Sequence, residues 1–261
     1  MKRRAADLIE LVLGARLVWP RDLPILYEQE FLGRFLREFA VDAVFDVGAN
    51  VGQYARMLRQ RTGFTGAIIS CEPIPELAAR LREQAEADPH WYVEELALSD
   101  EAGEAMFNVM ASDAFSSLLS PSKDQMEAVA SHNRVVRQVH VRLDTLDNVF
   151  DKYQDELGFQ RPFLKVDTQG HDVAVVRGAG DRVSQLIGLQ TELAVRLLYA
   201  GSTRFTEAIS LYEDLGFVLS AIFPNNQGHF PDMLEMDCVM YRPGGRPGQR
   251  DVRHDGVPQG R

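Results

Sequence analysis

Phe45-Asp46-Val47-Gly48-Ala49-Asn50-Val51-Gly52-Gln53-Tyr54 is the stretch that decides the fold. Ala43 to Val47 is an apolar run of strand length, and Val51 to Arg61 follows a helical pattern. Two glycines and an asparagine fill the turn between them. Such a strand–turn–helix presents backbone N–H groups and a helix N-terminus to a ligand. The next apolar run, Ala67 to Cys71, ends in Glu72, where a carboxylate suits a ribose diol. Together these features point to a cofactor that contains adenosine.

Working outward, short β-rich runs alternate with helical segments. The runs are Ala43–Val47, Ala67–Cys71, Trp91–Leu98, Pro162–Val166, Leu186–Glu192, Phe217–Phe223 and Met236–Tyr241; helices are expected over Val51–Arg61, Pro75–Ala87, Val173–Ala179 and Phe205–Leu215. This alternation predicts a three-layer α/β domain with a mostly parallel sheet. The last two runs have no helix-length spacer between them, only the turn around Pro224-Asn225-Asn226-Gln227-Gly228, so they should pair antiparallel. Residues 104–146 break the alternation. Glu104–Met110 and Val139–Leu143 read as an extra strand pair, separated by the serine-rich Ser112–Ser122 and a helical stretch near Gln125–Ala130. An insertion here, with the Leu197–Thr203 loop, is where an acceptor pocket is expected.

The expected domain therefore covers residues 41–242. Residues 1–40 read as a helical segment with breaks at Trp19-Pro20 and Leu23-Pro24, and residues 243–261 as a disordered tail rich in Pro, Gly and Arg. Leu8, Leu11, Val12 and Ala15 share a helical face that suits packing on the domain or on a partner, which leaves a homodimer open. The apolar run there is too interrupted for a signal peptide and too short to span a membrane, so a cytoplasmic protein is expected. The 261 residues are 45% hydrophobic and 25% charged, enough for one sizeable core. A net charge of −10, from 28 basic and 38 acidic residues, argues against a broad nucleic-acid surface. Cys71 and Cys238 lie far apart in strand-like runs and match no metal spacing; buried free thiols are expected.

The first turn separates two kinds of cofactor. A dinucleotide fingerprint needs a glycine where the backbone meets the pyrophosphate, but Asn50 stands there and Gln53 replaces the final glycine. Asparagine reaches left-handed backbone angles yet keeps a side chain where phosphates would crowd. Asp46 would repel phosphate, whereas it could order the turn or hold an amino-acid ammonium. S-adenosylmethionine meets these requirements: a zwitterion at one end, a ribose at the other, and no phosphate. The bland alternatives make Asp46 a turn cap and Glu72 a charge at a helix N-terminus.

Further strand ends face the same crevice in a doubly wound sheet. Phe163-Leu164-Lys165-Val166-Asp167-Thr168-Gln169-Gly170-His171-Asp172 places Asp167 there, with Lys165 suited to pairing with an acidic neighbour. His171 is either a base near neutral pH or a helix-start residue. Glu192 is either a buried acceptor or a contact for substrate.

These blocks, together with Ala97-Leu98-Ser99-Asp100 and Glu192-Leu193, resemble the FkbM family of S-adenosylmethionine-dependent methyltransferases over about residues 41–242. The resemblance implies a class I methyltransferase (Rossmann-like) fold: a seven-stranded, mostly parallel sheet with the last strand antiparallel. It also implies O-methylation of a hydroxyl on a sugar, glycolipid or polyketide-type natural product. By position it puts Asp46, Gly48, Asn50 and Gly52 at the methionine end, with Ala49 and Tyr54 in the same block. Glu72, followed by Pro73, falls at the ribose, Ala97 to Ser99 beside the adenine, and Asp167 beside the sulfonium and acceptor. The chain departs from the family pattern at His171-Asp172, which leaves the identity of the base open.

Methyl transfer needs the acceptor oxygen aligned with the methyl, water excluded, and a base for the hydroxyl proton. The candidates are Asp167 and His171, then Glu192 and His140. Mg²⁺ held by Asp167 and Glu192 would be a substitute for the base. Two other readings compete: a non-catalytic cofactor- or partner-binding module of the same fold, and an NAD-dependent oxidoreductase.

Overall fold

A computed structural model of the protein describes residues 23–225 and 231–247. The expected helical face at Leu8, Leu11, Val12 and Ala15, the break at Trp19-Pro20, the turn residues Asn226, Gln227 and Gly228, and most of the expected C-terminal tail lie outside the described residues.

Among the described residues, ten strands form two sheets. The larger contains β1 (Ala43–Val47), β2 (Ala67–Cys71), β3 (Trp91–Glu94), β7 (Pro162–Val166), β8 (Gly188–Ala194), β9 (Val218–Asn225) and β10 (Glu235–Tyr241). Their order is β3-β2-β1-β7-β8-β10-β9. All neighbours are parallel except β10, which runs antiparallel to both β8 and β9. The last strand is thus antiparallel, as expected, but it is inserted between two others and does not close an edge. The edge falls to β9, which can carry Pro224 because it pairs on one side only.

β1 is buried along its whole length, and its side chains alternate between two helical layers. Ala43, Phe45 and Val47 pack with α5 (Leu146–Leu157), α6 (Asp172–Arg177) and α7 (Phe205–Asp214). Val44 packs on the other face with α1 (Leu23–Glu38), α2 (Gln53–Met57, continued by a π turn at Leu58–Thr62) and α3 (Pro75–Ala85). Phe45 stacks on Phe150 at 5.5 Å between centroids. Burying one such ring stabilises by roughly 1.5–3 kcal/mol. The two cysteines are buried and free.

The structure differs from the sequence expectation in three places. Leu23-Pro24 is the start of α1, since proline fits a helix's first turn where its N–H is not needed. The run Trp91–Leu98 is two strands, because Ala97–Ser99 (β4) leaves the large sheet to pair with β6 (Val135–Thr145). The second sheet, β4-β6-β5, includes β5 (Gly103–Met110) and contains the expected extra strand pair. Residues 146–157, read as no element, form α5. Thr145 caps it by accepting the Asn148 N–H, and Gly158 ends it at φ +68°. A helical stretch near Gln125–Ala130 is present as the short α4 (Glu127–Ala130).

The turn after β1 closes against β7. Gly48 has φ +76°, and a Cβ there would lie 1.9 Å from the Asp167 carbonyl oxygen. Gly48→Ala should therefore cost at least about 1–3 kcal/mol from backbone strain alone, read as a lower urea midpoint. An unchanged midpoint would show that β7 does not hold this turn.

Candidate active site

A cleft of about 640 Å³ opens at the carboxyl ends of β1, β2 and β7, within the range of small-molecule sites. Its floor is the turn after β1. Gly48 and Ala49 donate their N–H groups to the Cys71 carbonyl at 3.0 and 3.1 Å, tying the turn to β2. Asn50 adopts the left-handed conformation the sequence allowed, φ +48°, and its Oδ1 accepts the Val51 N–H at 2.7 Å. This frees the Asn50 N–H to donate to Glu72 Oε2 at 2.8 Å, while Ile74 N–H donates to Oε1 at 2.9 Å. Glu72 is thereby aimed into the cleft, and each of its oxygens keeps accepting capacity for a ligand hydroxyl. Burial raises its pKa to about 7, although the two backbone N–H groups oppose that rise.

Ala97 and Leu98 add apolar lining to the cleft that Asp167 and Thr168 also border. The Thr168 hydroxyl is buried there without a hydrogen-bond partner. His171 also lines the cleft, but its Nε2 lies 3.0 Å from Ser99 Oγ, which donates to Asp100 Oδ1. Burial lowers the imidazole's pKa, and Asp100 only partly offsets this. The structure thus places His171 with the Ala97–Ser99 block and not beside Glu192. Among the described residues lining the cleft there is no lysine or arginine, whereas Glu72, Asp113 and Asp167 are acidic. Such a lining opposes a pyrophosphate.

Asp46 stands elsewhere. On the α1/α2 face of the sheet the register sets Ser70, Asp46, Lys165 and Gln190 in one row across β2, β1, β7 and β8. Asp46 is fully buried in that row and does not line the cleft. Its Oδ2 accepts from Ser70 Oγ, and its Oδ1 lies 3.2 Å from Lys165 Nζ. The Lys165 ammonium points its hydrogens at the carbonyls of Val47 and Gly48, at 3.4 and 3.2 Å. Burial alone would pull Lys165 down, but Asp46 and then Asp167 raise its pKa to about 12. Lys165 therefore has its acidic neighbour, and Asp46 orders the turn from beneath. Ala49 is buried and Gly52 caps α2. Tyr54 faces a second chamber, its hydroxyl donating to Gln190 Oε1 at 2.8 Å.

Asp167 and Glu192 are brought together by a residue to which the sequence reading gave no role. Gln169 has φ +54°, and its Nε2 donates to Asp167 Oδ1 and to Glu192 Oε2, both at 2.9 Å. Tyr199 OH lies 2.8 Å from Gln169 Oε1, which fixes the amide's orientation. An amide N–H stands between the two carboxylates, where a shared cation would have to sit. The residues present thus do not fit Mg²⁺, and among the described residues no group of three or more His, Cys, Asp or Glu could hold a metal. Glu192 faces a separate pocket with Asp172 and Glu235. Burial raises its pKa well above the ordinary carboxylate value, and the charge of Glu235 adds to this. His140 lies on the small sheet, exposed, 3.5 Å from Glu104 and away from the cleft. The signal that could have found Gln169 was its place between Asp167 and the glycine of a strand-to-helix turn.

The strand order, the glycine-asparagine turn and the strand-end acids define a class I methyltransferase fold. A sequence model of the methyltransferase FkbM domain matches residues 46–219, and the chain belongs to that family. Its cofactor is accordingly S-adenosylmethionine, and the cleft fits it: an anchored carboxylate, an unpartnered buried hydroxyl, an apolar wall and no basic lining. A search of curated protein sequences finds no match. Among solved structures, a methyltransferase FkbM from Methylobacillus flagellatus KT is 13% identical at TM-score 0.45, covering 77% of this chain and 43% of that one. This chain thus spans less than half the length of that protein. Magnesium protoporphyrin IX methyltransferase from Synechocystis PCC 6803 with bound S-adenosylmethionine is 9% identical at TM-score 0.47, covering 92% and 96%. Aeropyrum pernix fibrillarin with the same cofactor is 12% identical at TM-score 0.41, covering 76% and 66%.

Lys165→Met would leave Asp46 buried without its cation and should cost about 3–5 kcal/mol. The double variant Asp46→Leu/Lys165→Met should recover much of that loss in denaturant unfolding. A single variant no less stable than the double one would remove the pairing role.

Proposed function

We propose that the protein is an O-methyltransferase that moves a methyl group from S-adenosylmethionine to a hydroxyl of a sugar, glycolipid or polyketide-type natural product. The observation that carries this reading is Glu72, fixed by the N–H groups of Asn50 and Ile74 in a cleft that Asp167 also lines. Glu72 accepts the two ribose hydroxyls, and Ala97 and Leu98 cover the adenine. His171 and Ser99 belong to that adenine end. Bound cofactor supplies a methyl group activated by a positive sulfonium. The chain's own work is then to align the acceptor, exclude water and receive one proton.

Asp167 receives the acceptor's proton. Its Oδ1 is occupied by Gln169, so Oδ2 is the oxygen that accepts, with Lys165 Nζ 3.7 Å away. Gln169 is a positioning residue here, bridging Asp167 and Glu192 through its amide. A carboxylate beside the sulfonium also favours the positive charge before transfer. The acid-lined cleft, with no lysine or arginine among its described lining residues, disfavours the NAD alternative on the same electrostatic ground.

Glu72 gives this reading a pH signature. Its pKa is raised from 4.5 to about 7, so its contribution to the cofactor-free fold is full below pH 4.5 and is lost as pH rises through about 7. Ribose hydroxyls prefer the ionised carboxylate. Calorimetric affinity for S-adenosylmethionine should therefore rise between pH 6 and pH 8, and binding should release a proton from Glu72. In Glu72→Gln that component of the pH dependence should vanish, and Glu72→Ala should bind at least about tenfold more weakly while staying folded, as expected for a lost hydrogen bond to a charged group. Equal affinities for wild type and Glu72→Ala would remove the ribose assignment.

A further inference from the structure

A second chamber of about 820 Å³ lies on the α1 side of the sheet and shares Gln53 and Asp167 with the cofactor cleft. Its floor crosses β7, β8 and β10 at Lys165, Gln190 and Asp237, and α1 roofs it with Glu28 and Gln29. The polar groups are ordered in sequence. Tyr54 OH donates to Gln190 Oε1 at 2.8 Å, and Gln190 Nε2 donates to Glu28 Oε1 at 2.6 Å. From Lys165 to Asp237 the chamber runs two strand spacings of roughly 4.8 Å each, away from the first strand.

We propose that the far end of this chamber, formed by Glu28, Gln190 and Asp237, binds the methyl acceptor, and that the acceptor is an uncharged or amino-bearing polyol and not a phosphorylated or carboxylated one. The inference rests on the methyltransferase reading and names its acceptor class. An acceptor must approach the methyl from the side opposite sulfur, and Asp167 and Gln53, which line both spaces, put the chamber beside the place proposed for the sulfonium. A neutral polyol supplies the donors and acceptors that Glu28, Gln190 and Asp237 can answer.

Charge decides the class. The cation of Lys165 is already met by Asp46 at 3.2 Å and Asp167 at 3.7 Å, which leaves the carboxyl groups of Glu28 and Asp237 with no cation of their own among the described residues around the space. Burial raises the pKa of both Glu28 and Asp237, and for Asp237 the charges of Glu28 and Asp167 add to the rise. An anionic acceptor would meet these groups with no free cation among the described residues lining the chamber. This places the acceptor site under α1, not in the pocket expected at residues 104–146 and Leu197–Thr203. The insertion contributes Phe107, Asp113, Ala114, Ser116 and Leu118 to the cofactor cleft, and its residues 122–126 line a separate groove with Leu197 and Leu198.

The test uses the full chain, methyl-labelled S-adenosylmethionine and an extract of the organism that makes the protein. The labelled product should pass an anion exchanger at neutral pH; a product retained there as an anion overturns the proposal. Gln190→Trp, which fills the chamber, should keep donor affinity within about threefold and lose labelling by about 100-fold or more through steric exclusion. Labelling at the wild-type rate would place the acceptor elsewhere. Should that variant fail to fold, Asp237→Asn should raise the KM for the purified acceptor roughly tenfold, with the calorimetric Kd for the donor unchanged. An unchanged KM overturns the proposal. A wild-type chain that does not bind the donor defeats the methyltransferase reading itself, whereas one that binds the donor and labels nothing defeats the acceptor chamber.

Discussion

A lysine buried between two strand-end carboxylates sets the geometry of this molecule. Lys165 sits between Asp46 of β1 and Asp167 at the end of β7, and it also donates to the carbonyls of Val47 and Gly48. Those contacts fix where β1 stops and how closely its turn approaches β7. Gly48 can follow only because it has no side chain to strike the Asp167 carbonyl. With the turn held from below, Asn50 can spend its backbone N–H on Glu72, and the cleft gains a carboxylate of defined orientation. A buried ion pair is a poor device for raw stability, since desolvation offsets much of the attraction. Its value here is positional.

The same row of polar residues divides the site into two electrostatic regions. On one side, Glu72, Thr168 and apolar residues line the cofactor cleft. On the other, Tyr54, Gln190 and Glu28 form a hydrogen-bonded line beneath α1, ending near Asp237. Asp167 belongs to both, its Oδ1 held by Gln169 and its Oδ2 facing Lys165 Nζ at 3.7 Å. Neither region offers an unpaired lysine or arginine among its described lining residues. This lining suits the sulfonium proposed to lie where the two meet, and it opposes a phosphate.

Much of the fold could be read in the sequence because it is local. The run ending at Val47, its glycine-asparagine turn and the acid after Cys71 each reveal a strand end within a few residues. The missing spacer before Met236–Tyr241 reveals the antiparallel strand. The seams were harder. Trp91–Leu98 looks continuous, and only the pairing of β4 with β6 splits it. α5 begins at a threonine cap that follows a long strand directly, with no loop to announce it. Within the site, Glu72, Asn50 and Asp167 line the cleft, while Asp46 lies under it. Strand alternation alone cannot decide that, because both faces of β1 are buried. Glu28, Gln190 and Asp237 were invisible in the sequence for a different reason: they meet only through the sheet order, across α1, β8 and β10.

The most direct measurement is a crystal structure of the full chain grown with S-adenosylmethionine. The account predicts the ribose hydroxyls on Glu72, the adenine against Ala97 and Leu98, and the sulfonium beside Asp167 with its methyl directed toward the chamber under α1. A nucleoside bound away from Glu72, or a methyl directed toward the groove between residues 122–126 and 195–204, would contradict it.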